Sequence, residues 1–133
     1  MCESGIVANG LSAICRAVEL EWGDADASRA LGSFELILAA DCIYETDVVQ
    51  LLVQTIVALL HPQGSVLLAY DEAIGRAAAA AAFRSACDAA SLVWEELDAA
   101  MHDDDADEQS KLAPHLKSSV RLVRLVWSRP SNT

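Results

Sequence analysis

Glycine is scarce in this sequence and nowhere arranged for gripping a nucleotide. The six glycines are Gly5, Gly10, Gly23, Gly32, Gly64 and Gly75, and no two of them form a Gly-x-Gly. The loop that lets backbone approach a nucleotide-like cofactor closely is therefore missing. Long apolar runs are missing too: none approaches the roughly 18 residues a membrane span requires. Met1-Cys2-Glu3-Ser4 lacks the basic lead and apolar stretch of a secretory signal, so the expected location is the cytoplasm. Cations are few, 9 Lys and Arg against 20 Asp and Glu, for a net charge of -11. That balance argues against a nucleic-acid partner. Cys2, Cys15, Cys42 and Cys87 are far apart, with no Cys-x-x-Cys and no histidine at ligand spacing. No metal site is expected, and reduced thiols are the expected state. Cys42 adjoins Asp41, but a nucleophilic thiol needs a base, and His61, His102 and His115 are all distant in sequence.

What remains is enough for one domain with a modest core: 133 residues, 53% hydrophobic and 22% charged. No internal repeat or linker divides residues 1–133. The centre of the chain is residues 34–40, FELILAA, an apolar run interrupted only by Glu35. A run this short without a polar face reads as a strand buried on both sides of a parallel sheet. It stops on a carboxylate, Asp41, with Tyr44 three residues later. In open α/β sheets, ligands sit outside the carboxyl ends of the strands. A carboxylate there can hydrogen-bond an amine, and an aromatic ring can line a channel for an alkylammonium group. Equally, Asp41 can cap a helix and Tyr44 can simply pack. By spacing alone the second reading is the stronger.

Around that stretch the punctuation is legible. Ile6, Val7 and Ala8 followed by Asn9-Gly10 read as the end of a helix. Residues 16–21 alternate apolar and charged side chains and predict a strand, closed by Trp22-Gly23-Asp24. Residues 25–32 predict a short helix or loop. Residues 47–60 predict a helix capped by Thr46 or Asp47, with Val48, Leu51, Leu52, Thr55, Ile56 and Leu59 at helical spacing and His61-Pro62-Gln63-Gly64 as its stop. Residues 65–70 are a second apolar run and complete a βαβ unit. The six alanines from Ala77 to Ala82 lie in a helix over 72–90, because alanine is the best helix former. Residues 92–97 and 120–127 predict two further strands. The acidic loop between them, 98–119, is most simply solvated.

The fragment FELILAADCIY, Phe34 to Tyr44, resembles the fourth-strand motif of seven-strand S-adenosylmethionine-dependent methyltransferases. Within that class it is similar to the Asp-x-x-Tyr branch that methylates protein lysines, and Asp-Cys-Ile-Tyr is most similar to the methyltransferases of valosin-containing protein. The resemblance implies an α/β, Rossmann-like sheet of parallel strands covered by helices and ending in an antiparallel pair. It implies S-adenosylmethionine as cofactor, with Trp22 against the adenine and Ala40 at a cofactor-contacting position next to Asp41, and Asp41 and Tyr44 as the catalytic residues facing a substrate lysine. It implies a protein substrate, of which chaperones and AAA-type ATPases are the type. Ala39, the acidic strand end Tyr70-Asp71-Glu72 and His102 occupy positions near the same cleft, where small core packing, helix capping and a lone surface histidine explain them as well.

The likeness covers only the second half of that fold. In the family the strands run in the order third, second, first, fourth, fifth, seventh, sixth, and the cofactor loop follows the first strand. With the first two strands missing, residues 16–21 would be the third strand without its neighbour, and the fourth would expose an edge open to self-association. The absent loop argues against catalysis by this chain alone. Three readings follow: a lysine methyltransferase domain, a non-catalytic remnant that binds a partner through the open edge, and a chain whose Met1 is internal to a longer product. Among enzymes, methylation of a non-lysine acceptor is the alternative, since the fold does not specify the acceptor.

Overall fold

The computed structural model describes residues 2–72, 75–97 and 120–128. Their elements are α1 (Cys2–Ala8), α2 (Ala25–Leu31), β1 (Phe34–Ala40), α3 (Thr46–Leu59), β2 (Leu60–Asp71), α4 (Ala77–Ala89), β3 (Leu92–Leu97) and β4 (Val120–Trp127). The strands form one mixed sheet in the order β1-β2-β4-β3. β1 and β2 are parallel, β2 and β4 antiparallel, and β4 and β3 antiparallel. This is the α/β arrangement of part of a Rossmann-like methyltransferase sheet, with the crossover helix α3 joining its parallel pair. The acidic stretch 98–119, with His102, lies outside the described residues.

The core lies on one face of this sheet. Val66, Leu68 and Tyr70 of β2, Val123 and Leu125 of β4 and Leu92 of β3 are buried beneath Val49, Leu52, Val53 and Ile56 of α3 and Ala79, Phe83, Ala86 and Cys87 of α4. The period-2 alternation of strands sends their neighbours to the opposite face. There Leu36 and Leu38 are 52% and 70% exposed. β1 is therefore half-buried, with Ile37 and Ala39 packed against the core, and the expectation of a strand buried on both sides is corrected. An apolar run marks a strand without saying how many of its faces are covered.

Four further expectations change. Residues 16–21 form no strand: all but Leu20 are exposed, and alternation has no effect where the segment meets no ladder to pair with. Helix α3 begins one residue earlier than expected, after Glu45, whose side chain makes no capping hydrogen bond, so neither Thr46 nor Asp47 is its cap. His61-Pro62-Gln63-Gly64 does not close a turn before the strand but forms its irregular opening. The register steps from Phe34↔Leu60 to Leu36↔Ser65, so β2 carries the extra residues as a bulge. Gly64 is needed there, because a Cβ on it would lie 2.8 Å from the Phe34 carbonyl oxygen. The alanine-rich helix starts at Ala77, after the turn that contains Gly75.

Cys87 gives a direct check on this packing. It is completely buried, and burial pushes its thiol up to about 12, whereas Cys2 and Cys15 are exposed. Iodoacetamide at pH 8 should label Cys2 and Cys15 within minutes and leave Cys87 unmodified until denaturant is added, as read by peptide mass spectrometry. Labelling of Cys87 in the native protein at the rate of the other two would refute the packing of α4.

Candidate active site

The site is built at the carboxyl ends of β1 and β2, which lie side by side because the two strands are parallel. β1 pairs with β2 up to Ala40↔Ala69, and the Asp41 N–H continues the ladder by donating to the Ala69 carbonyl at 2.9 Å. The backbone then turns: Asp41 has φ 54, the left-handed region that Asp and Asn tolerate better than most residues. Non-glycine residues held in this region concentrate at functional sites. The turn lifts the Asp41 side chain out of the sheet, 68% exposed. Ile43 anchors the next step of the loop, fully buried, and Tyr44 follows at 47% exposure. The Asp-x-x-Tyr segment is thus an exposed carboxylate and an exposed phenol on either side of a buried aliphatic anchor.

Neighbouring side chains supply the electrostatics. Arg76, immediately before α4, donates from a guanidinium nitrogen to Asp41 Oδ1 as an ion pair. At the end of β2, Tyr70 donates to Glu72 at 3.2 Å, and Arg121 of β4 donates to the other Glu72 oxygen at 2.9 Å. Burial, reinforced by the Glu72 carboxylate, pushes the Tyr70 phenol up to about 12, so it stays protonated. The same carboxylate raises the Arg121 guanidinium further above its ordinary range. Tyr70 and Glu72 are therefore a structural pair tied to β4. Cys42 donates to the Ala40 carbonyl at 3.4 Å.

The other expected residues divide. Ala40 sits next to Asp41 on the exposed face of β1, level with Ala69 of β2; two small side chains there leave a shallow floor against which a flat group can lie. Trp22 is elsewhere in contact terms, half-buried against the core. Its turn is fixed on α3, since the Gly23 N–H donates to Thr55 Oγ1 at 2.8 Å. Gly23 has φ 89, and a Cβ on it would come within 2.7 Å of Leu51 Cδ2. The described contacts do not join Trp22 to Asp41 or Tyr44. Among the described residues no cluster of three or more metal-ligating side chains occurs, and no helix is long and apolar enough to cross a membrane. A cavity of about 840 Å³ opens at the other end of the sheet, lined by Pro62, Gln63, Gly64 and Trp127 among others, and includes neither Asp41 nor Tyr44. It lies away from the carboxyl ends of the parallel strands, where open α/β sheets hold their ligands.

Sequence reasoning did not single out Arg76. The available signal was topological: adjacent parallel strands bring the loops that follow them together, so the first cation after residues 65–70 should be weighed against Asp41.

The parallel pair β1–β2 continued by antiparallel β4 and β3, with α3 and α4 on one face, makes an α/β domain whose sheet is that of part of a Rossmann-like methyltransferase. The sequence model of the lysine methyltransferase family matches residues 1–87, which include Trp22, Ala40, Asp41 and Tyr44. This chain belongs to the lysine methyltransferase family. No curated protein matches it.

Proposed function

We propose that the domain methylates the side-chain nitrogen of a lysine in a protein substrate, at the strand end formed by Asp41 and Tyr44. The observation that carries this reading is the Asp41 turn: a carboxylate held in a left-handed conformation by a hydrogen bond to β2 and presented to solvent, in a chain of this family. A fully packed acid or a helix cap would have no need of that conformation.

S-adenosylmethionine, when bound, supplies the electrophilic methyl group. The floor formed by Ala40 and Ala69 is compatible with a flat ring at the strand end, and Trp22 is the aromatic residue implied by the resemblance to lie against the adenine. Asp41 accepts a hydrogen bond from the incoming amine and then favours the cationic product. Tyr44 lines the approach of the alkyl chain. The lysine must have lost a proton to solvent by the time it reacts, so that its lone pair can face the methyl group, and the methylated nitrogen then carries the positive charge beside Asp41. Most of the acceleration comes from holding the reacting atoms in line. Within the family, we place the chain in the Asp-x-x-Tyr branch, in the cytoplasm, with the methyltransferases of valosin-containing protein as the likeness and a chaperone or AAA-type ATPase as the substrate type.

Calorimetric titration of S-adenosylmethionine into the folded chain tests the cofactor half of this reading. A Kd near 1 μM, or about -8 kcal/mol, is the expected result if the glycine loop has been replaced by other contacts. The absence of heat from a folded chain would overturn autonomous methyl transfer. It would favour the second reading, a binding protein that uses the free edge of β1 and its exposed Leu36 and Leu38.

A further inference from the structure

We infer that Arg76 makes the site selective for a lysine that has a carboxylate beside it in the substrate; the inference rests on the assignment of Asp41 as the residue that receives the lysine. Asp41 is already occupied by one cation, since the Arg76 guanidinium engages its Oδ1. A lysine nitrogen brought to the same carboxylate places two cationic groups on one anion until the amine is deprotonated. One carboxylate then faces two cations, and the Arg76 guanidinium must share Asp41 or give it up. Glu72, four residues before Arg76, does not relieve this, because its two oxygens are committed to Tyr70 and Arg121. An Asp or Glu flanking the target lysine does: it takes the Arg76 guanidinium while the lysine takes Asp41, and two ion pairs replace one. Arg76 is suited to the exchange. It is 35% exposed, stands at the N-cap of α4 and its side chain makes no capping hydrogen bond there, so that side chain can change partners without unwinding the helix. A planar guanidinium also matches a carboxylate better than an ammonium does.

The preference runs against the charge of the whole chain. At -11, long-range attraction favours basic peptides, so an acidic preference can be assigned only to a local cation.

The test is fluorescence anisotropy with three labelled peptides that share one central lysine, flanked by Glu, by Gln or by Arg, at about 0.05 M salt, where exposed pairs are weakly screened. The wild type should bind the Glu-flanked peptide about two- to fivefold more tightly than the Gln-flanked one, the range of an exposed ion pair. Arg76→Lys should keep that order. Arg76→Glu, checked for fold by circular dichroism, should reverse it in favour of the Arg-flanked peptide. Replacing the central lysine by norleucine should remove most of the binding. The same peptide order in wild type and Arg76→Glu, binding indifferent to the central lysine, or binding of none of the peptides would each overturn the inference. Methyl transfer is read separately with labelled S-adenosylmethionine. Its absence beside an intact peptide order would strike the catalytic assignment of the site and leave the selectivity of Arg76 standing.

Discussion

Asp41→Asn should lower kcat/KM for methyl transfer to a lysine peptide by about 100-fold or more, with the fold and cofactor affinity unchanged. The magnitude is that of removing one group aimed at charge that develops in a transition state, and it falls within the range for a positioned proton acceptor. Asparagine is the informative replacement because it keeps the shape of the side chain and tolerates the φ of 54 that the turn demands. It also keeps the Asp41 N–H bond to the Ala69 carbonyl, which is backbone to backbone. What it removes is the negative charge, and with it the ion pair to Arg76 and the proposed one to the incoming amine. Because the side chain is 68% exposed, the change should shift the thermal midpoint by at most about 4 °C, an exposed ion pair being worth about 0–1 kcal/mol. The measurement is incorporation of labelled methyl groups under kcat/KM conditions, beside calorimetry of cofactor binding. An Asp41→Asn protein that transfers as fast as the wild type would remove Asp41 from the reaction. A wild type that binds cofactor yet methylates no lysine would remove the lysine assignment altogether.

Asp41 was legible in the sequence because two signals coincided on it: an apolar run that must be a strand, and an acid where that strand stops. The helix Thr46–Leu59 was legible from its helical period, and the strands on either side of it from short apolar runs bounded by turn residues. Arg76 carried no such mark. Its pairing partner lies 35 positions away in sequence, and only the parallel register of β1 on β2 brings the two loops together. The failed strand at 16–21 shows the converse. Alternation there is real, but a strand exists only in a ladder, and the segment is almost wholly exposed. The sidedness of β1 was hidden for a third reason. FELILAA is apolar on both faces, so period 2 has nothing to report, and whether Leu36 and Leu38 are covered depends on what lies beyond the strand rather than in it.

The largest expected loss of stability comes from Phe83→Ala. Helix α4 is built from alanines on its inner face, with Ala79, Ala80 and Ala86 buried, and Phe83 is its one large apolar side chain in the core. Phe83 is completely buried, and its ring meets Trp94 of β3 edge-on at 6.0 Å, while Tyr70 of β2 meets the same indole at 5.9 Å. Such aromatic pairs contribute about 0.5–1.5 kcal/mol beyond their burial. Truncation therefore removes the transfer energy of the ring, opens a cavity that small neighbours cannot fill, and breaks the contact that joins α4 to β3. Phe→Ala at such sites costs about 3–5 kcal/mol, a large share of the 5–15 kcal/mol typical of a domain. Phe83→Leu, which refills part of the space, should cost markedly less. Denaturant titration followed by circular dichroism measures both, and a loss below about 1 kcal/mol for Phe83→Ala would contradict the packing of α4. The consequence reaches the site, because Arg76 stands at the N-terminal end of this helix. If Phe83 sets where α4 sits, then Phe83→Ala should also blunt the Glu-over-Gln peptide preference under conditions where most of the protein is still folded. Phe83→Leu should keep it.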